Sequence, residues 1–204
     1  MFAMRCFYVH IIALGLGLIV PLAVANDARA TEVLVDEEAA ASLSQAQQLD
    51  KLFGELKRQR DPDRASITAD QIRIELSDSG SATVNLLLQW SDKAASEKRN
   101  SAALDFLDQV TVLKPGFAEG WNRRAKLHFA MGNYRKAMSD LNRVLTIEPR
   151  HFGAVAGMAL ILANRDNDAL TLRAWERFLE IYPADRRAQE QVDTLSEKLA
   201  GSRI

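Results

Sequence analysis

The sequence predicts an all-α protein built as a solenoid of helix hairpins, and three observations carry that prediction. The first is a pair of apolar stripes at helical spacing between Phe117 and His151. One holds Trp121, Ala125, His128 and Phe129; the other holds Tyr134, Ala137, Met138, Leu141, Val144 and Leu145. The second is the punctuation. Met131-Gly132-Asn133 parts the stripes with residues that suit the left-handed dihedrals of a tight turn, and Pro149 ends the second stripe because proline cannot continue a helix. The third is recurrence: Pro115, Pro149 and Pro183 fall 34 residues apart and are three of the four prolines beyond residue 25.

At that period the chain divides into units 84–117, 118–151 and 152–185. Small residues fall where two helices must approach: Ser91, Ala125 and Ala159 in the first helices, Ala103, Ala137 and Thr171 in the second. Bulky residues fall where the gap must be filled, at Leu107, Leu141 and Trp175. Trp175 is therefore expected inside its hairpin, where truncation to alanine would cost about 3–5 kcal/mol.

Residues 84–185 resemble the tetratricopeptide repeat (TPR) family, whose unit is two antiparallel helices in about 34 residues. In the central unit Trp121, Ala125, Gly132, Tyr134, Ala137, Leu141 and Pro149 occupy the family's signature positions. Three features depart from it. Arg124 stands where leucine is usual, and Lys98-Arg99-Asn100 and Asp166-Asn167-Asp168 replace the glycine-containing turn in the outer units. The resemblance implies a right-handed α-α superhelix with a concave face, a scaffold that binds protein or peptide, and neither catalysis nor a cofactor.

The remaining elements follow in chain order. Residues 1–25 read as a signal peptide: Arg5, then an uncharged run from Cys6 centred on residues 11–20, then Ala23-x-Ala25, with cleavage after Ala25. The competing reading is an uncleaved anchor in the inner membrane, since the run approaches the roughly 20 apolar residues of a spanning helix. Residues 26–42 are acidic and alanine-rich and read as a flexible leader. Within 43–83, Leu43, Ala46, Leu49, Leu52, Phe53 and Leu56 make one helical stripe. Arg60-Asp61-Pro62-Asp63 breaks it, and a second helix follows with Ile67, Ile72 and Leu76 inward. This pair reads as a degenerate hairpin capping the N-terminal end of the stack. After Pro183, Ala188, Val192, Leu195 and Leu199 line one side of a last helix with a charged back, a C-terminal cap over 186–204.

Composition closes off several classes of function. Cleavage after Ala25 leaves 179 residues of net charge −2 without cysteine, because Cys6 is the sole cysteine and Arg5 the sole charged side chain removed. Thiol chemistry, disulfides and cysteine-metal sites are excluded, and no basic field exists to hold nucleic acid or anionic lipid. His128 reads as a core imidazole and His151 as a surface loop residue. No metal site, phosphate loop or nucleophile motif is present. Gly153 and Gly157 read as close-packing residues.

What remains is the groove that the family geometry places along the first helices. Its candidates are Asn85, Leu88, Gln89 and Asp92; then Glu119, Asn122, Arg123, Lys126 and Phe129; then Ala156, Leu160, Ala163 and Asn164. Asn122, Arg123 and Lys126 are expected to donate to a peptide carboxylate or carbonyl, beside an apolar shelf of Phe129 and Leu160. The lysine and asparagine clamp with which some TPR proteins hold chaperone C-termini is not reproduced, because Leu88 and Asp92 stand in its place. The favoured reading is an exported, periplasmic or secreted adaptor for a protein or peptide. The alternatives are a self-assembling homo-oligomer and a non-catalytic subunit of an envelope enzyme complex.

Overall fold

The apolar periodicity resolves into nine α-helices and no strand among the described residues, 44–201, of the computed structural model. Helix α1 covers 44–58 and α2 Pro62–Ser77. Three hairpins follow: α3 (Ala82–Ser96) with α4 (Asn100–Leu113), α5 (Ala118–Ala130) with α6 (Tyr134–Ile147), and α7 (Phe152–Ala163) with α8 (Asp168–Ile181). Helix α9 (Arg186–Gly201) packs against α8. The expected signal peptide, with its cleavage point after Ala25, and the leader 26–42 lie outside the described residues.

The three hairpin turns share one geometry. Left-handed backbone falls at Lys98 (φ 60°), Gly132 (φ 73°) and Asp166 (φ 51°), spaced by the sequence period. After each, an amide reaches back over the helix end: Arg99 N–H to Ala94 O at 2.8 Å, Asn133 N–H to His128 O at 2.8 Å, and Asn167 N–H to Leu162 O at 3.2 Å. This closure normally ends on glycine. Two helices packed face to face on either side hold Lys98 and Asp166 in it, against roughly 1–2 kcal/mol each.

Inside the hairpins the small residues are buried as their spacing requires: Ser91, Ala103, Ala125, Ala137, Ala159 and Thr171 are all at or below 2 % exposure. Leu107 and Leu141 are buried against them. Trp175 is only half-buried, edge-on to Phe178 at 5.6 Å, so its truncation falls toward the low end of the 3–5 kcal/mol expected from sequence. Arg124 works at a position where leucine is usual in the repeat because its surroundings are charged. It meets Asp140 of α6 at 2.7 Å and Asp108 of α4 at 2.7 Å, donates to Thr111, and lies 4.7 Å from the Trp121 ring. One guanidinium thereby ties together three helices.

The N-terminal hairpin is where the fold departs from expectation. Leu52, Phe53, Leu56, Ala65, Ala69 and Ile72 form one core with Phe152 and Val155 of α7, Phe178 of α8, Tyr182, and Ala188 of α9. The α3–α4 pair has its own core, Val84, Leu88, Ala94, Ala103, Leu107 and Val110, closed by Phe117 and Leu127. The hairpin therefore does not cap the stack at its N-terminal end; it packs against the last hairpin and α9. The cause is aromatic. Phe152 makes edge contacts with Phe53 (6.5 Å), Phe178 (6.1 Å) and Tyr182 (5.9 Å), while Arg73 lies over its ring and Arg150 over that of Phe53. Arg150 also pairs with Asp50 at 2.7 Å.

Helix α2, about 24 Å long at 1.5 Å per residue, spans the beginnings of several first helices. Its cap Asp61 lies in the field of Arg186 at the head of α9, Arg73 reaches Phe152 at the head of α7, and its body touches α5. Residues 78–81 then lead into α3, where Asn85 accepts from Ser79 and donates to Asp78. The inward stripe is Ala65, Ala69, Ile72 and Leu76. Ile67 was expected inward and is 61 % exposed, because two residues from Ala65 or Ala69 is the opposite side of a helix.

Candidate functional site

The groove is built on α5, with α3 on one side and α7 on the other. Between α3 and α5 lies a hollow of about 390 Å³ whose lining includes Asp92, Glu119, Arg123 and Lys126. Between α5 and α7 lies a second of about 190 Å³, lined by Asn122, Ala125, Lys126, Phe129, Leu141, Gly153, Ala156, Gly157, Leu160 and Ile161. Lys126 borders both, so they form one surface on the two flanks of α5.

The second hollow exists because its floor is made of small residues. A side chain at Gly157 would place its first carbon 3.2 Å from Leu141, and one at Gly153 would lie 3.3 Å from the His151 ring. Leu160, 47 % exposed, stands beside that floor, and Phe129 closes it, its ring 5.5 Å from that of Tyr134. Glycine and alanine at three positions of α7 signalled close packing in the sequence; their role as the bottom of a hollow required α5 opposite them.

The polar part of the groove is largely self-satisfied. Glu119 is buried and receives Asn122 Nδ2 (2.7 Å), Arg123 Nε (3.2 Å) and His151 Nε2 (3.3 Å). Burial works against its charge, but the His151 hydrogen bond, the Lys126 charge and the Asn122 amide outweigh it and bring its pKa down to about 2. His151, expected at the surface, is 4 % exposed. Its Nδ1 accepts the Ala154 N–H at 3.1 Å and so caps α7, which leaves the proton on Nε2, facing Glu119.

Arg123 also meets Asp92 at 2.6 Å, joining α5 to α3. Of the three expected donors, Arg123 is thus occupied by two carboxylates and Asn122 is 1 % exposed with its amide nitrogen turned to Glu119. Lys126, 3.8 Å from Glu119 with a side chain 64 % exposed, is the donor that faces solvent.

The other expected groove residues are dispersed. Leu88 is 3 % exposed in the α3–α4 core and lines neither hollow, a correction with a simple cause: its position along the first helix lies between neighbouring helices, as does that of buried Asn122. Asn85 ties down the turn before α3, Gln89 is exposed on α3, and Asn164 caps α7, donating to Leu160 O at 2.9 Å. Ala163 is exposed beside it. Asp92, Glu119, Arg123 and Lys126 come together in one hollow, and Asn122, Lys126, Phe129, Ala156 and Leu160 in the other. His151, like Leu88, lies deeper than its sequence suggested. Among the described residues, no group of histidines, cysteines or acids is arranged to hold a metal, and no helix is long and apolar enough to cross a membrane.

Comparison with known proteins agrees with the hairpin geometry. The tetratricopeptide repeat family model matches residues 118–151. A TPR repeat-containing protein of Rhizobium etli is 60 % identical over 203 residues, covering 100 % of both chains. Among solved structures, the first TPR domain of Spaghetti (RPAP3), bound to an HSP90 peptide, superposes with a TM-score of 0.54 at 19 % identity over 59 % of this chain and 95 % of that one. The Yersinia enterocolitica type III secretion chaperone SycD, in complex with a peptide of the translocator YopD, gives 0.54 at 13 % identity over 59 % and 98 %. A MamA protein gives 0.51 at 16 % identity over 75 % and 81 %. The helix pairs, their shared turn, the central-repeat match and the full-length relative together place this chain in the tetratricopeptide repeat family.

Proposed function

We propose that this protein is a non-catalytic scaffold that holds a segment of another protein in the groove flanking α5. The observation that carries this reading is the joined pair of hollows, one apolar with a glycine and alanine floor, meeting at the exposed Lys126. A segment laid across α5 would seat an apolar side chain between Phe129 and Leu160 and offer a carbonyl or carboxylate to Lys126. Peptides seated in the Spaghetti (RPAP3) and SycD structures support the same use of the fold. We further propose export, with residues 1–25 removed after Ala25 and the mature chain working in the periplasm or beyond the cell. The mass of the protein recovered from its cells tests that: retention of residues 1–25 refutes cleavage.

The groove itself is tested by a photo-crosslinking residue at Leu160, which is exposed, with Arg187 on α9 as control. A discrete product from position 160 alone is the expected result, and mass spectrometry of it identifies the partner. Equal products from both positions, or none from either, overturn the groove reading.

A further inference from the structure

Each hairpin of the array presents a stripe on its first helix toward the hairpin before it. In the second hairpin that stripe is Gly120 and Arg124, and α4 covers it. Val110 sits so close to Gly120 that an added side-chain carbon would lie 2.6 Å from it, and Asp108 and Thr111 bind Arg124. In the third hairpin the equivalent residues are Ala154, fully buried, and Met158, packed into the core shared with α6.

In the first hairpin, the positions one period earlier are Leu86 and Trp90. They are 42 % and 46 % exposed, although both are large and apolar. The supporting position on the second helix follows the same rule. Asp140 pairs with Arg124 in the interior hairpin, and its counterpart Phe106 lies against Trp90 with ring centroids 5.7 Å apart. Where the interior hairpin has a salt bridge that a neighbouring helix completes, the first hairpin has an aromatic pair open to solvent. The hairpin that should cover it, α1–α2, has its core with α7, α8 and α9 instead.

We propose that a second copy of this chain covers the Leu86–Trp90–Phe106 face, pairing two arrays end to end about a two-fold axis. Three features favour a copy over another occupant. First, the far end of the array is closed: α9 packs on α8 and turns a charged back outward, with Arg187, Glu190, Asp193 and Glu197 exposed, so head-to-tail growth has no partner face. A closed two-fold pair is the assembly that remains. Second, the centre of the face, Leu86, Trp90 and Phe106, carries no charge, and past it Glu97 is paired with Arg99 of its own chain at 2.8 Å and Lys93 is exposed at the edge, so two copies can meet at the centre without burying an unpaired charge. Third, the area fits. Two helices side by side, each about 21 Å long and about 10 Å wide, give a footprint of roughly 400 Å² per copy, or about 800 Å² in all. That is the size of a weak, transient interface, so the pairing is reversible and centred on the aromatic pair.

Sedimentation equilibrium of the purified protein over about 1–200 μM, the range in which such an interface titrates, is the test. The expected result is a monomer–dimer equilibrium that Trp90→Glu weakens by about a hundredfold and that Leu160→Glu in the groove leaves unchanged. Leu86→Lys serves as an independent second variant, and circular dichroism melts confirm that each variant folds. A protein monomeric throughout the range overturns the proposal. So does a dimer indifferent to both face variants, or one dissociated by Leu160→Glu, which would place self-association in the groove. The crosslink at position 160 reports on the groove separately, so either reading can fail alone.

Discussion

Phe152→Ala separates the observed path of the N-terminal hairpin from the one its sequence suggests. The ring is 2 % exposed and joins Phe53 of α1, Arg73 of α2, Phe178 of α8 and Tyr182. Truncating a buried phenylalanine costs about 3–5 kcal/mol from lost transfer energy and the cavity left behind. Against a total of about 5–15 kcal/mol, that is a large share. The loss falls on the seam between α1–α2 and α7–α9, while the α3–α4 core and the α5–α6 core have other members. Hydrogen exchange is the assay, with urea unfolding for the total. Amides of α1, α2 and the start of α7 should lose protection toward the level of local opening, and those of α3 to α6 should keep most of theirs. If α1 and α2 exchange as in the parent, or lose protection only together with α3 and α4, the hairpin is not seated on α7.

Three further predictions follow from the polar network and the turns. Glu119 is held at about 2 against an ordinary value of 4.5, so its contribution is complete above about pH 4.5 and is lost as pH falls toward 2. At 1.36 kcal/mol per unit this amounts to roughly 3 kcal/mol; Glu119→Gln should flatten the stability profile between pH 5 and 3 in urea titrations, and an unchanged slope refutes the assignment. Arg124→Ala leaves Asp140, with a side chain 6 % exposed, without its partner, and should cost about 3–5 kcal/mol. Arg124→Leu combined with Asp140→Leu should come within about 1–2 kcal/mol of the parent, and a double variant as unstable as the single one would show that packing, not charge, sets the loss. Lys98→Gly relieves a left-handed lysine and should stabilise by about 0.5–1 kcal/mol, a rise of a few degrees in Tm.

The groove was legible in part. Asp92, Glu119, Arg123 and Lys126 meet in one hollow because residues that share a position in successive repeats share a face, and a period of 34 residues states which positions those are. Leu88 was read as groove and lies in the core because the same spacing cannot distinguish floor from wall; that depends on how closely α3 and α5 approach. His151 looked like a loop residue from its place after Pro149. Its burial follows from contacts with Glu119, 32 residues earlier, and with the Ala154 amide that begins α7.

The sequence by itself determined the repeating part of this protein. Recurring prolines, small residues and apolar stripes each act within one hairpin or between adjacent ones, so local spacing is enough to specify them. The equivalence of the three turns was not among these: Lys98 and Asp166 break the glycine pattern in sequence, and the packed hairpins hold both in the left-handed geometry of Gly132. The destination of α1–α2 was decided only by tertiary structure. Its apolar stripe would suit any apolar surface, and the choice among surfaces went to the aromatic cluster around Phe152, about a hundred residues away along the chain. That choice leaves Leu86 and Trp90 uncovered, because a hairpin that packs at one end of an array is not available to close the other.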